Sequence, residues 1–312
     1  SNVINTQIAI HTQFGGVVPE IASRQHVENI SNVAKEALKE ANMTFDDIDI
    51  IACTYGPGLV GALLVGVSYA KGLSYALNKP LVGTNHIEGH IAANYITNLN
   101  LKPPFLCLVV SGGHTELVYM KKEFSFEVIG TTFDDAIGEA YDKVGRVLHL
   151  PYPGGPVLDK MAHEGTHSYT LPKPLDDGSY NFSFSGLKSA VINLKHNADQ
   201  RGEEINGNDL ACSFQDVAMD TIASKALAAA HDLGVKQIIV AGGVSANKGL
   251  REKMSTSDIP VIFPPLKYCT DNAAMIASAA SIMYKYNMFA PLDLSVKPDY
   301  DLEAESVGDN YE

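Results

Sequence analysis

The sequence predicts an α/β protein made of two copies of one unit around a cleft. Three observations carry this. The 312 residues exceed what a single core usually organises, at about 100–200 residues per domain. From residue 105 onward, apolar runs and amphipathic stretches follow the order strand, strand, strand, helix, strand, helix, strand, helix. The first hundred residues show the same series without its opening hairpin, the mark of an internal duplication. Composition agrees, because 46% hydrophobic and 19% charged residues describe a chain that collapses into a core.

Taken in order, the alternation in VINTQIAIH reads as a strand. HVENISNVAKEALKEA (26–41) reads as an amphipathic helix with Val27, Ile30, Val33, Ala34, Ala37, Leu38 and Ala41 on one face. IDIIACTY is a short apolar strand, GPG a turn and 59–77 a helix. Residues 58–77 approach membrane length, but Lys71, two Tyr and two Ser interrupt them, so the segment reads as a helix buried in the protein. LVGTNH is a strand, followed by a helix over about 87–98, and Pro103 and Pro104 mark a boundary. FLCLVV, the turn SGGHT and ELVYM then make a β-hairpin, EVIGTT a third strand and FDDAIGEAYDKVGRVLHL a helix. A Pro/Gly-rich irregular stretch covers about 150–185, and SFQDVAMDTIASKALAAAHDL is helical. QIIVAGG, SANKGLREKM, PVIFPP and TDNAAMIASAASIMYKY complete the series.

On this reading 1–101 is lobe one, beginning abruptly in what would be its third strand. Residues 102–290 are lobe two, with an insertion at 150–206 and a last helix packing back towards lobe one. Residues 291–312, with a net charge of −6, are expected to be a disordered acidic tail.

The chain carries 23 Lys+Arg against 36 Asp+Glu, a net of −13, which argues against gripping nucleic acid through the whole surface. Local basic groups are not excluded, with Lys143, Arg146, Lys188, Lys248 and Arg251 as candidates. Cys53, Cys107, Cys212 and Cys269 stand singly, without a CxxC pair, as reduced core thiols of a cytosolic protein do. No basic-then-apolar leader opens the sequence, so a cytoplasmic location without membrane association is expected.

Candidate chemistry begins at Asn85-His86-Ile87-Glu88-Gly89-His90. Two imidazoles four residues apart share one helix face, the spacing two metal ligands need, although ordinary histidines also fall so. Glu88 lies two residues after His86, whereas a zincin places its base directly after the first histidine. Asp271, in YCTDN at a strand-to-helix junction, is the candidate third ligand; its alternative role is to cap that helix. Two His and a carboxylate leave coordination positions open, which suits iron or zinc acting on a substrate. The turn Ser111-Gly112-Gly113-His114-Thr115 can present backbone N–H groups to an anion, its glycines allowing close approach and positive φ; a ligand-free tight turn is the alternative. Asp135, Glu139 and Asp142 lie on one stripe, either a solvated face or acceptors for sugar hydroxyls. YPGGP and AGGVSAN, with Gly243, are further glycine-rich turns, the second at a strand end where α/β sheets bind ligands. GxGxxG and GxxxxGK[ST] are absent.

Together GGVVPEIASRQH, GPGLVGALLVG, NHIEGH, VVSGGHTELV, DDAIGEAYDKVGR, YPGGP, FSFSGLKSAV, GGVSANKGLR and TDNAAMIA resemble the TsaD family over about residues 1–290. These are the tRNA N6-adenosine threonylcarbamoyltransferases, formerly called O-sialoglycoprotein endopeptidases. The resemblance implies an actin-like (ASKHA) fold of two RNase H-like lobes. It implies one divalent metal per chain, Fe or Zn, on His86, His90 and Asp271. It implies contacts from Val109, Val110, Ser111, Gly112, Gly113, Asp142, Gly155, Asp159 and Asn247 to an adenine nucleotide or the threonylcarbamoyl group, with His114, Glu139 and Gly243 as additional candidates.

The implied reaction moves threonylcarbamoyl from threonylcarbamoyl-AMP to N6 of adenosine 37 in tRNAs reading codons that begin with A, the metal serving as Lewis acid. No residue stands out as general base. Family members start with a strand and turn of the ETSCDET kind, so the first hairpin of lobe one is expected to be missing. Bacterial members work with TsaB and TsaE, and TsaC (or Sua5) supplies the adenylate. Segments 26–41 and 59–77, with Gly61, Ala62, Gly66 and Ala70, are the expected TsaB surface, and homodimerisation stays open. The competing readings are a metal-dependent glycoprotein endopeptidase, an actin-like ATPase or kinase, and a scaffold subunit.

Overall fold

The computed structural model describes residues 1–305. In chain order the elements are α1 (Ile8–Thr12), α2 (Pro19–Ala41), β1 (Ile51–Gly56), α3 (Val60–Leu77), β2 (Leu81–Asn85), α4 (His86–Ala92), β3 (Phe105–Val110), β4 (Thr115–Met120) and β5 (Glu127–Thr131). There follow α5 (Ile137–Val147), α6 (Gly154–Glu164), α7 (Ser185–Arg201), α8 (Gly207–Leu233), β6 (Ile238–Ala241), α9 (Lys248–Ser255), β7 (Val261–Ile262) and α10 (Ala273–Lys285). They form two compact units: Ser1–Leu101 with the described residues from Thr270 onward, and Lys102–Cys269. The last helix therefore belongs to the first unit; the sequence reading counts it in lobe two but has it packing back towards lobe one.

In the first unit, β1 and β2 pair in parallel, from Ile51 opposite Leu81 to Gly56 opposite Asn85, with α3 as the crossover that parallel strands require. Pro19 starts α2, where its fixed φ suits the first turn. Asn42 and Asn78, both left-handed, end α2 and α3. Gly61 brings these helices together, since a Cβ there would lie 2.9 Å from the Ser23 side chain. Helix α3 buries only Leu63, Val67, Ala70 and Ser74. Val60, Leu64 and Tyr75 are exposed, so the helix expected to be buried in the protein is buried on one side only. By length and composition alone, α3 is apolar enough to cross a membrane.

The expected N-terminal strand is absent. Residues 1–7 are irregular and α1 follows. The segment meets helices and not a strand edge: Ser1 Oγ donates to the Ala37 carbonyl, and Asn2 Oδ1 accepts from Ala274 N on α10.

The described part of the tail is also different from expectation. Ala290 N donates to the Leu81 carbonyl at 2.8 Å and Lys297 N to the Tyr55 carbonyl at 2.8 Å. Leu294, Val296 and Tyr300 pack on the small core of Cys53, Tyr55, Val67, Ala70 and Leu81, and Leu302 is buried. Few apolar side chains suffice because they settle over both β1 and β2, Leu294 lying against Gly83 and Tyr300 against Tyr55. Residues 306–312 of the predicted tail lie outside the described residues. Gly56 sets the strap's height, because a Cβ there would sit 2.1 Å from the Lys297 carbonyl oxygen. Gly56→Ala is expected to lift the strap, cost about 1–3 kcal/mol and strip exchange protection from the Lys297 amide, read by thermal unfolding and hydrogen exchange.

In the second unit the sheet order is β5-β4-β3-β6-β7. Strands β3, β4 and β5 form the antiparallel meander, and β6 and β7 continue it in parallel. All six residues of β3 are buried, as a central strand covered on both faces demands. Helix α8 lays Ala211, Phe214, Ala218, Ile222, Ala226 and Ala229 into the core, its small residues permitting close approach. Helix α6 lies inside the stretch read as irregular: Gly154, Gly155 and Pro156 occupy its first turn, where such residues are tolerated.

Candidate metal centre and nucleotide-binding turns

Strand β2 runs straight into α4, and a capping box fixes the junction. Asn85 Oδ1 accepts from Ile87 N at 2.8 Å, and the Glu88 carboxylate accepts from Asn85 N at 3.4 Å. The first turn therefore has its orphan donors satisfied, and it projects His86 and His90 with ring centroids 4.7 Å apart. On α10 the cap is Asn272, whose Oδ1 accepts from Met275 N at 3.0 Å. Asp271 is thereby released from the capping role the sequence left open to it. Its Oδ1 lies 3.5 Å from His86 Nε2 and 3.2 Å from His90 Nε2.

The ligand atoms of His86, His90 and Asp271 all fall within 4.8 Å of one another, the one such group among the described residues. A buried imidazole normally finds hydrogen-bond partners. His90 is 1% exposed, its Nδ1 has no hydrogen-bond partner and its Nε2 faces the Asp271 carboxylate. Two imidazoles and a carboxylate converging in this way are a donor set for a cation. Burial also pushes the His86 imidazole down, outweighing the raising influence of Asp271, so its lone pair is available at neutral pH. The Asp271 side chain is 76% exposed. Desolvation raises its carboxyl, but at that exposure the two neighbouring imidazoles dominate and hold it at about 2.

Glu88, 2% exposed and engaged in the capping box, serves the helix and not the ligand set. Burial pushes the Cys53 thiol up to about 11 and raises Cys107 well above its ordinary value, so neither offers a thiolate nucleophile.

The second unit gathers the turn residues. Val109 and Val110 end β3, and Ser111 closes the hairpin, its N–H donating to the His114 carbonyl at 2.8 Å. Ser111 Oγ accepts from Gly113 N at 3.3 Å and His114 N at 3.0 Å. Gly112 and Gly113 do not take the positive φ expected of them; that conformation falls on Gly242, at φ 90°. Their value is space, since a Cβ at either would meet nothing within 4 Å. Gly243 is similarly open.

Asp142, Asp159 and Asn247 secure two helix starts, those of α6 and α9. Asp142 Oδ1 accepts from Gly154 N at 2.8 Å and Gly155 N at 3.3 Å, at the start of α6. Burial raises the Asp142 carboxyl and these two N–H groups partly offset it. Asp159, from α6, accepts from Lys248 N at 3.0 Å and Gly249 N at 3.4 Å. Asn247 Oδ1 accepts from Leu250 N at 2.8 Å as the cap of α9.

The carboxylate stripe on α5 resolves into separate roles. Asp135 holds both Lys143 and Lys188 at 2.6 Å, Glu139 pairs with Lys143 at 2.8 Å, and only Asp142 joins the turns. Lys143 and Lys188 are thus neutralised locally. Arg251 is committed to the Ser245 and Pro264 carbonyls, and Lys248 faces Glu252 at 3.5 Å, so the basic groups proposed for nucleic acid are largely occupied inside the unit. Sequence reasoning missed Gln215, buried behind Asn247. Its one signal was a lone amide within the apolar pattern SFQDVAMD.

A family model described as TsaD, tRNA N6-adenosine threonylcarbamoyltransferase, matches residues 1–278. The tRNA N6-adenosine threonylcarbamoyltransferase of Bacillus anthracis is 58% identical over 310 residues, covering 97% of this chain and 90% of the relative. That of Bacillus subtilis (strain 168) is 56% identical over 308 residues, with 97% and 89% covered. Among solved structures, T. kodakarensis HypF superposes with a TM-score of 0.62 at 13% identity, over 83% of this chain and 44% of that one. The Acidaminococcus fermentans (R)-2-hydroxyglutaryl-CoA dehydratase component A gives 0.51 at 16%, over 82% and 83%. At such identities the likeness concerns the fold, which is the mixed α/β, actin-like one.

Proposed function

The chain belongs to the TsaD family of tRNA N6-adenosine threonylcarbamoyltransferases, and from that premise we propose how its residues do the work. The reaction transfers the threonylcarbamoyl group of threonylcarbamoyl-AMP to N6 of adenosine 37 in tRNAs that read codons beginning with A. An exocyclic amine is a weak nucleophile, so the carbonyl needs polarising and the AMP leaving group needs holding. His86, His90 and Asp271 would hold a divalent iron or zinc ion, which when bound supplies Lewis-acid polarisation. The observation that carries this is the convergence of the buried His90 imidazole with His86 and Asp271, their ligand atoms all within 4.8 Å of one another.

Val109 to Gly113, Gly155 and Asn247 would hold the adenylate, the open glycine surface allowing its close approach. Asp142 and Asp159 accept from the N–H groups that open α6 and α9 and so fix those helix starts, a positioning role. The peptidase reading loses its general base, because Glu88 is spent on the α4 cap. The substrate tRNA would draw on basic surface beyond Lys143, Lys188 and Arg251, including surface of partners such as TsaB and TsaE. The exposed face of α3, with Val60, Leu64 and Tyr75, suits helix packing against such a partner, and a cytoplasmic setting fits this assignment.

The test is incorporation of labelled threonine into unmodified tRNA by the full chain, supplied with the adenylate and its bacterial partners. Incorporation that stops on chelation and returns with iron or zinc is expected. Incorporation indifferent to chelation would remove the metal role, and none at all would overturn the assignment.

A further inference from the structure

Gln215 is 5% exposed in the middle of α8, between residues that fill the core. A buried amide costs stability unless its polar atoms are engaged, and Gln215 Oε1 accepts twice, from Tyr141 OH at 3.0 Å and from Asn247 Nδ2 at 3.1 Å. Asn247 is held from its other side as well, its Oδ1 capping Leu250 N. With oxygen and nitrogen each assigned a partner, the amide has one orientation. An amide nitrogen carries two N–H donors; Gln215 takes one, and the Tyr141 hydroxyl lies within reach of the same amide. Gly249 makes the arrangement possible, since a Cβ there would lie 2.5 Å from Gln215 Nε2. Burial also pushes the Tyr141 phenol far up, keeping its O–H a donor.

We infer that Gln215 is a positioning residue for the adenylate: together with Tyr141 it takes up the Asn247 amide and so holds the turn that opens α9 in the form that meets the nucleotide. This rests on the reading of Asn247 as a nucleotide contact. Gln215 does not itself meet the ligand; its effect passes through Asn247.

The experiment compares the full chain with Gln215→Met, Asn247→Ala, the double variant, Gly249→Ala and Tyr141→Phe. The readouts are AMP binding by calorimetry and the KM and kcat of transfer from threonylcarbamoyl-AMP. Gln215→Met is expected to weaken AMP binding and raise KM about tenfold, as one buried hydrogen bond would, with kcat roughly unchanged. Asn247→Ala should do at least as much. The double variant should then bind AMP no more weakly than Asn247→Ala alone, which a merely structural role would not produce, because independent effects add. Gly249→Ala, which displaces Gln215 sterically, should repeat the loss, and Tyr141→Phe should give a smaller one.

A wild-type chain that does not bind AMP overturns the reading of the site. Wild-type binding that Gln215→Met leaves unchanged, or effects of Gln215→Met and Asn247→Ala that add, overturns the inference. If Gln215→Met does not fold, unchanged AMP affinity in both Gly249→Ala and Tyr141→Phe overturns it equally.

Discussion

His90→Ala is expected to remove metal loading and threonylcarbamoyl transfer together while leaving AMP binding intact. His90 is the buried member of the ligand set; its Nε2 faces Asp271 and its Nδ1 lacks a hydrogen-bond partner. One unsatisfied buried nitrogen costs about 1–3 kcal/mol. Ring removal leaves a cavity whose cost is of similar size, about 2–4 kcal/mol, so the metal-free variant should unfold near the metal-free wild type.

The contrast comes on adding metal. A ligand that binds only the folded state raises stability by mass action, so the wild type should gain thermal stability with zinc or ferrous iron and the variant should not. Loss of a direct ligand should exceed the roughly 10–100-fold drop in affinity that follows loss of a residue behind a ligand. Metal content after purification, the thermal shift and labelled-threonine transfer together decide it. Normal metal content with normal transfer in His90→Ala would sink the assignment.

Much of this site was legible in the sequence because its geometry is local. His86 and His90 sit on one helix by spacing alone, and the strand before them is a plain apolar run. Asp271 was harder: in Asp271-Asn272 either residue can cap a helix, and only the bond from Met275 N to Asn272 shows which does. Gln215 was illegible because a single amide in a 27-residue helix has no meaning until Tyr141 and Asn247, 74 and 32 residues away, are brought against it.

The same distinction explains the fold. The second unit's strands are continuous apolar runs that read correctly. Residues 1–7 alternate like a strand, yet their neighbours are the helical residues Ala37 and Ala274. The strap at 290–303 has low apolar content, and its order comes from bonds to Tyr55 and Leu81, partners more than two hundred residues distant. Helix α6 was hidden by its own start, where Gly154, Gly155 and Pro156 carry a loop signature but occupy a first turn, a position at which α-helices need no backbone donor.

Gly242→Ala should produce the converse loss, weakening adenylate binding while the metal set keeps its ion. Gly242 holds φ at 90°, in the left-handed region, which a side chain makes costly. A Cβ there would also lie 2.4 Å from the Val110 carbonyl oxygen and 3.3 Å from Ser111 Cβ. Neither neighbour can yield cheaply, because Val110 lies in the central strand and Ser111 is held by the hairpin bond to His114. On the other side Gly138 abuts the same turn, a Cβ there falling 2.7 Å from the Ser111 carbonyl oxygen and 2.8 Å from Gly112 Cα. The Ser111–Gly113 turn is therefore clasped between two positions that admit no side chain.

Strain and overpacking at Gly242 combine to about 2–4 kcal/mol, enough to move the turn before it unfolds the unit. AMP affinity should fall at least about tenfold, for roughly 1.4 kcal/mol of lost binding, with Gly138→Ala showing a smaller fall in the same direction. His86, His90 and Asp271 all belong to the other unit, so metal content and the metal-induced thermal shift should match the wild type. Unchanged AMP affinity in a folded Gly242→Ala chain would show that the turn does not hold the nucleotide. Loss of metal in that variant would show that the two residue sets do not act as separate binding elements.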